Sequence, residues 1–122
     1  MIEIKIIILI MFIHWIADFI CQTDKQAKNK SKSLLALIGH TFIYSVVFGI
    51  ASCFFLNYTN PIVPTIFFGI TFITHTLIDF VTSKINSKLY SSGKTHWFFT
   101  SIGFDQFLHL SILMGTYLLL NK

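Results

Sequence analysis

Three aspartates each have a histidine four residues away, inside stretches otherwise made of apolar side chains. The pairs are His14 with Asp18, His75 with Asp79, and Asp105 with His109. On an α-helix a separation of four puts both side chains on one face, about one turn apart. A carboxylate deep in a membrane helix costs roughly 2.5–3.5 kcal/mol on insertion scales, so three unrelated ones would be a heavy penalty. Gathered with histidines, they have a chemistry that accounts for them. Imidazole with carboxylate suits zinc, manganese or iron, whereas an all-oxygen set would suit magnesium or calcium. With His40 added, the candidate ligands are His14, Asp18, His40, His75, Asp79, Asp105 and His109. That set exceeds one zinc site and suits one or two divalent ions, two of them sharing a carboxylate.

The elements that carry these residues follow from composition. The chain of 122 residues is 54% hydrophobic and only 11% charged, against about 25% charge in an ordinary soluble domain. It reads as a single integral-membrane domain over residues 1–122, all-α, with four spans at about 2–21, 34–56, 62–83 and 97–120. Each is near the ~20 residues that cross a bilayer. Glu3 and Lys5 weaken the first, but no small-residue cleavage site follows it as in a signal peptide. Pro64 suits the opening of the third helix.

Orientation comes from the lysines. Lys25, Lys28, Lys30 and Lys32 fall in the first loop and Lys84, Lys88 and Lys94 in the third, while the turn around Asn60 is uncharged and arginine is absent. The positive-inside rule puts both basic loops in the cytoplasm. The expected architecture is therefore an up-down-up-down, four-helix transmembrane bundle with N-out and C-out topology. The net charge of +4 belongs to membrane-flanking lysines, with no nucleic-acid footprint. On this map all seven candidate ligands converge at the cytoplasmic end, though they come from four different spans.

Residues around the pairs extend the site. Gln22 lies one turn beyond Asp18, Gln106 follows Asp105, and Lys30 and Lys84 stand at the mouth as anion-binding candidates. Thr74, Thr76 and Thr82 are placed to hydrogen-bond carboxylates or imidazoles. Elsewhere Ser45, Gly49 and Cys53, and likewise Ser111 and Gly115, form small-residue stripes expected to admit a neighbouring helix. Cys21 and Cys53 are too far apart for a disulfide and are expected to be buried thiols. His96, beside Trp97, is expected at the interface. Besides metal binding, the same Asp/His ladder would serve a proton or ion relay, or interhelical hydrogen bonding without chemistry.

The combined pattern His14-x-x-x-Asp18-Phe19-x-x-Gln22, Asn29-Lys30, His40, His75-x-x-x-Asp79 with Lys84, and Phe104-Asp105-Gln106-x-x-His109 resembles the domain of unknown function 3307 family. These are small integral-membrane proteins of bacteria and their phages. More loosely, the pattern is similar to a group of membrane-bound metal-dependent hydrolases. The resemblance implies a bacterial cytoplasmic-membrane location, bacterial or phage-encoded, and supplies no substrate. Taken together, the residues point first to a hydrolase acting on a lipid-like or phosphate-containing substrate at the cytoplasmic interface. In that reading a metal-activated water is the nucleophile, and Asp18, Asp79 and Asp105 are the catalytic carboxylates. The alternatives are a metal or proton transporter, and a membrane interaction protein in which the His/Asp site is structural.

Overall fold

Runs of Ile, Leu and Phe without a polar stripe have to satisfy their own backbone groups when no water is at hand, and a helix does so within one segment. The computed structural model describes residues 1–122 and contains five helices and no strand. These are α1 (Ile4–Trp15), which runs into a π-helical turn (Ile16–Ile20), α2 (Asp24–Asn29), α3 (Leu34–Phe55), α4 (Val63–Ser91) and α5 (Thr95–Leu120). Local chemistry sets the boundaries. Thr23 and Gln26 form a reciprocal capping box that starts α2, and the Ser33 hydroxyl accepts from the Ala36 amide to start α3. Pro64 occupies the first turn of α4. Gly93, at φ 67°, supplies the left-handed turn into α5.

Three helices are long and apolar enough to cross a membrane: α3, α4 and α5, with 22, 29 and 26 residues. At 1.5 Å per residue each exceeds roughly 30 Å, the thickness of a hydrocarbon core. The expected boundaries need three corrections. α1 is only 12 residues long, with five more in its π turn. The third helix continues past residue 83 to Ser91, so Lys84 and Lys88 stand on its last turns and not in a loop. The first basic loop contains α2, which the hydropathy pattern did not disclose because the helix is short and polar.

α1 packs on α3 and α5, α4 packs on the same two helices, and α2 rests on α3. The backbone of Lys122 donates to Asn57, and Asn57 donates to the Asn121 side chain. The end of α5 is thus tied to the connection between α3 and α4. Ile2 and Ile6 join the same cluster as Leu56, Tyr58 and Leu120, so the start of α1 lies there too. The end of α1, α2 and the α4–α5 turn occupy the opposite end.

The interior is inverted relative to a water-soluble protein. Of 25 buried residues, 14 are polar or charged, while Ile8, Phe12, Leu35, Phe54, Leu77 and Phe99 are exposed. Such an exterior is suited to lipid, and burial here means contact between helices. An apolar plug of Phe48, Phe55, Phe67, Leu113 and Tyr117 fills the half nearer the termini. The small-residue expectation holds only in part. A Cβ on Gly49 would come within 3.1 Å of Phe68 Cβ, whereas Gly115 has nothing within 4 Å. Ser111 and Gly115 face outward, Cys53 is exposed and Cys21 half-buried, which corrects the expectation of buried thiols.

Gly49→Leu should overpack the α3–α4 contact and destabilise the fold by about 1–3 kcal/mol, read as an earlier unfolding midpoint in a denaturing-detergent titration. Gly115→Leu should leave the midpoint in place. Equal responses would contradict the close approach at Gly49.

Candidate metal centre

Each segment delivers its polar residues to the same level. α3 supplies His40 and, one turn on, Tyr44. α4 supplies His75 and Asp79, and α5 supplies Asp105 and His109. α1 and its π turn supply His14 and Asp18. The π turn, closed by the Cys21 amide on the Ile16 carbonyl at 2.9 Å, widens the helix where Asp18 enters. Such bulges re-aim a side chain at functional sites. All seven expected residues are at least nine-tenths buried.

Four of them form a compact polyhedron. Asp18, His40, His75 and Asp79 each present one donor atom within 4.8 Å of the others. His40 Nε2 lies 3.0 Å from Asp18 Oδ1 and 3.5 Å from Asp79 Oδ2. His75 Nε2 lies 3.2 Å from His40 Nε2, 3.5 Å from Asp18 Oδ1 and 3.6 Å from Asp79 Oδ2. A tetrahedral ion with bonds of 2.0–2.1 Å has donors about 3.3 Å apart. Five of the six edges of this donor set therefore have the size of a tetrahedral zinc site. Two imidazole nitrogens facing each other with two carboxylate oxygens alongside are the donor chemistry such an ion takes.

A second group shares a member with the first. Asp18, Asp105 and His109 again present donors within 4.8 Å of one another, with His109 Nε2 3.3 Å from Asp105 Oδ1. Asp79 reaches both groups, since its Oδ1 lies 3.0 Å from His109 Nε2 while its Oδ2 faces His40 and His75. The first group has four donors and is closed; the second has three, the number that leaves a coordination position open.

His14 belongs to neither group. Both its ring nitrogens are engaged, Nδ1 with the Tyr44 hydroxyl and Nε2 with Gln106 Oε1, each at 2.6 Å. It lies 3.8 Å from Asp18 Oδ2. Gln106 in turn donates through Nε2 to Asp18 Oδ2 at 3.1 Å and Asp105 Oδ2 at 3.0 Å. Thr82 donates to Asp105 Oδ1 at 2.6 Å. Thr74 bonds only to its own helix, and Thr76 to its own helix and Thr41. Tyr44 is the residue that sequence reasoning passed over. It stacks on His75 with centroids 3.8 Å apart, and His109 stacks on the same imidazole at 4.1 Å. Its position four residues after His40 was the available signal.

Lys30, at the end of α2, reaches into the cluster. Its Nζ donates to Asp79 Oδ2 at 2.9 Å. Burial works against the ammonium, but Asp79, with Asp18 and Asp105 behind it, outweighs that and raises its pKa above the ordinary value. Lys84 is placed elsewhere. It is exposed, with its ammonium 3.6 Å above the Phe80 ring, and takes no part in the cavity. Gln22 does line that cavity, which has a volume of about 290 Å³ and is bordered on its inner side by Asp18, Asp105, Gln106 and Lys30. His96 is exposed against Trp97.

The family model for "Protein of unknown function (DUF3307)" matches residues 6–122, and the chain belongs to that family. No curated protein and no solved structure matches it.

Lys30 holds the same Asp79 oxygen that faces both imidazoles, so it competes with any cation drawn to that oxygen. Lys30→Met should tighten the binding of zinc or manganese on the order of tenfold or more, because it removes a positive charge a few ångströms away. A chelator competition on purified protein measures this, and weaker binding by the variant would contradict the competition.

Proposed function

We propose that this member of the DUF3307 family is a four-span, up-down-up-down protein of the bacterial cytoplasmic membrane. In this reading it binds two divalent transition-metal ions and hydrolyses a lipid-like or phosphate-containing substrate at the cytoplasmic face. The observation that carries the reading is the donor polyhedron of Asp18, His40, His75 and Asp79, with edges of 3.0–3.6 Å. The neighbouring three-donor group that shares Asp18 supports the second ion. Zinc, manganese and iron all accept this donor set.

Two such ions, when bound, supply an acidified water and neutralise phosphoryl oxygens. The chain's own residues do the rest. Asp18 and Asp79, each facing both groups, hold the two halves in one geometry. Asp18 and Asp105 border the cavity, near enough to take up the proton that an attacking water gives up. Gln106 and Thr82 fix those carboxylates, and His14 and Tyr44 brace them from the membrane side. Lys30 offers a charge to a phosphate entering from the cytoplasm. In this reading water, not a side chain, is the nucleophile, as a two-ion donor set implies.

A transport pathway fits less well. Beyond the cluster, Ser45, Ser52 and Thr116 bond to carbonyls of their own helices, and the aromatic plug lies past them. Polar groups thus do not continue as a chain toward the other end. In the proposed topology α1 and its π turn form the first, shortest span, and the lysines of α2 and of the α4–α5 region face the cytoplasm.

Elemental analysis of the purified protein should find close to two zinc, manganese or iron ions per chain. Asp79→Asn should lose metal while the helices stay inserted, by more than the ~10–100-fold typical of a residue that only supports a ligand. Full metal occupancy in Asp79→Asn would remove the central carboxylate from the site.

Membrane orientation has its own test. A cysteine placed at Asn60 should react with an impermeant reagent added outside intact cells, and one at Lys28 or Ser91 should not. The reverse pattern would put the site at the outer face.

A further inference from the structure

The two donor groups do not have the same access to solvent. The cavity of about 290 Å³ lies between α2, which packs on α3, and the facing ends of α4 and α5. Its wall runs outward to Lys28 and Ser87 and inward to Asp18 and Asp105. Asp18 and Asp105 are two of the three donors of the second group. Of the first group only Asp18 reaches the wall, and His40, His75 and Asp79 lie behind it. Those three keep 1–2% of their surface exposed, against 7% for Asp105.

Lys30 stands between the cavity and the first group. It is part of the wall, and its Nζ donates to Asp79 Oδ2 at 2.9 Å. That same oxygen lies 3.5 Å from His40 Nε2 and 3.6 Å from His75 Nε2. A divalent cation moving inward from the cavity therefore meets a fixed positive charge at the edge of the polyhedron, in surroundings that screen it poorly. The far side offers no easier way in. The space beside His75, bordered by Thr71, Tyr44 and Ile112, has a volume of about 10 Å³. That is room for about one water, and not for a hydrated ion. The aromatic plug fills the half of the bundle beyond it.

Access and strength of binding thus run in opposite directions. The second group has three donors, a coordination position to spare and a face on the cavity, so its ion comes and goes easily. The first group surrounds its ion with two imidazoles and two carboxylates, and its ion can leave only when several of these let go in turn.

We infer that the two ions are unequal. One is an exchangeable ion at Asp18, Asp105 and His109, taken up from solvent through the cavity, and its spare coordination position is the one that an entering ligand meets. The other is a retained ion at Asp18, His40, His75 and Asp79, which enters past Lys30 and then stays. This rests on the two-ion reading above and assigns each ion its place and its rate. Lys30 is a positioning residue in this scheme: it governs how fast the inner ion arrives, and the outer one does not depend on it.

Cobalt(II) is the probe, because it absorbs visible light intensely when tetrahedral and weakly at higher coordination number. From full-length, cobalt-loaded protein in detergent, a chelator should remove the two ions in two steps at least about tenfold apart in rate. The intense band should outlast the first step. Asp105→Asn should abolish the fast step and His40→Ala the slow one, each variant keeping the other ion as a sign that it is folded. Uptake by the stripped protein, its helices checked by circular dichroism, should show the same two steps. Lys30→Met should bring the two uptake rates closer by about tenfold or more. Lys28→Met removes an exposed charge from the mouth and should change both rates by the same factor. Release of both ions in one step, or a fast step that survives Asp105→Asn, would overturn the inference and leave the two-ion reading intact. So would a ratio of rates that Lys28→Met alters as much as Lys30→Met does. Fewer than two ions at saturation would sink that reading, and this inference with it.

Discussion

Keeping three carboxylates inside an apolar molecule is the constraint on which the remaining structure depends. Asp18, Asp79 and Asp105 are each at least nine-tenths buried, and a buried charge is tolerated only when paired and fully hydrogen-bonded. Each helix that reaches the site accordingly brings a cation, an imidazole or a donor. Lys30 comes from the end of the short helix α2, whose contribution to the site is the ammonium it delivers to Asp79. Gln106 bridges two carboxylates, and Thr82 reaches across from α4 to α5. Even so, a single lysine faces three carboxylates, and only imidazoles are left to share the remaining charge. That shortfall, concentrated on donors spaced as a metal ion would space them, is the physical basis for reading the cluster as a metal centre.

A lipid environment, which α3, α4 and α5 are long and apolar enough to span, would make such a cluster permissible. Apolar side chains gain little from facing inward when the surroundings are themselves hydrocarbon, so polar residues occupy the interior and hold the helices by interaction between them. The aromatic plug of Phe48, Phe55 and Phe67 fills the half near the termini, and the polar half opens toward the basic end. Between them Tyr44 serves both halves: it packs against Phe48, stacks on His75 and holds His14. A change at Tyr44 would therefore be felt in packing and in site geometry together.

Much of the site was legible because helix periodicity is strict. Spacing of four placed His75 with Asp79 and Asp105 with His109, and alternating helix direction brought residues far apart in sequence to one end. What was hidden depended on three-dimensional detail. The π turn after Trp15 has no Gly or Pro to announce it. His14 fits the spacing rule yet turns its nitrogens to Tyr44 and Gln106. Lys84 fits a basic loop on paper, but α4 continues through it, and the helix carries its ammonium over Phe80 and away from the cavity. Lys30 could be located near the mouth, while its reach to Asp79 required α2, whose polar sequence gives no hydropathy signal. The outward-facing Ser111, Gly115 and Cys53 show the limit of reading small residues as packing signals, because in lipid a small residue is as acceptable outside as between helices.

The most direct test of the account is X-ray absorption at the edge of whichever metal the purified protein carries. Two ions sharing Asp18 and Asp79 predict a first shell of nitrogen and oxygen only, with imidazole scattering and a metal–metal distance of about 3.5–4 Å. A spectrum with sulfur neighbours, or with nitrogen and oxygen but no metal–metal vector in a protein holding two ions per chain, would contradict the shared-carboxylate centre.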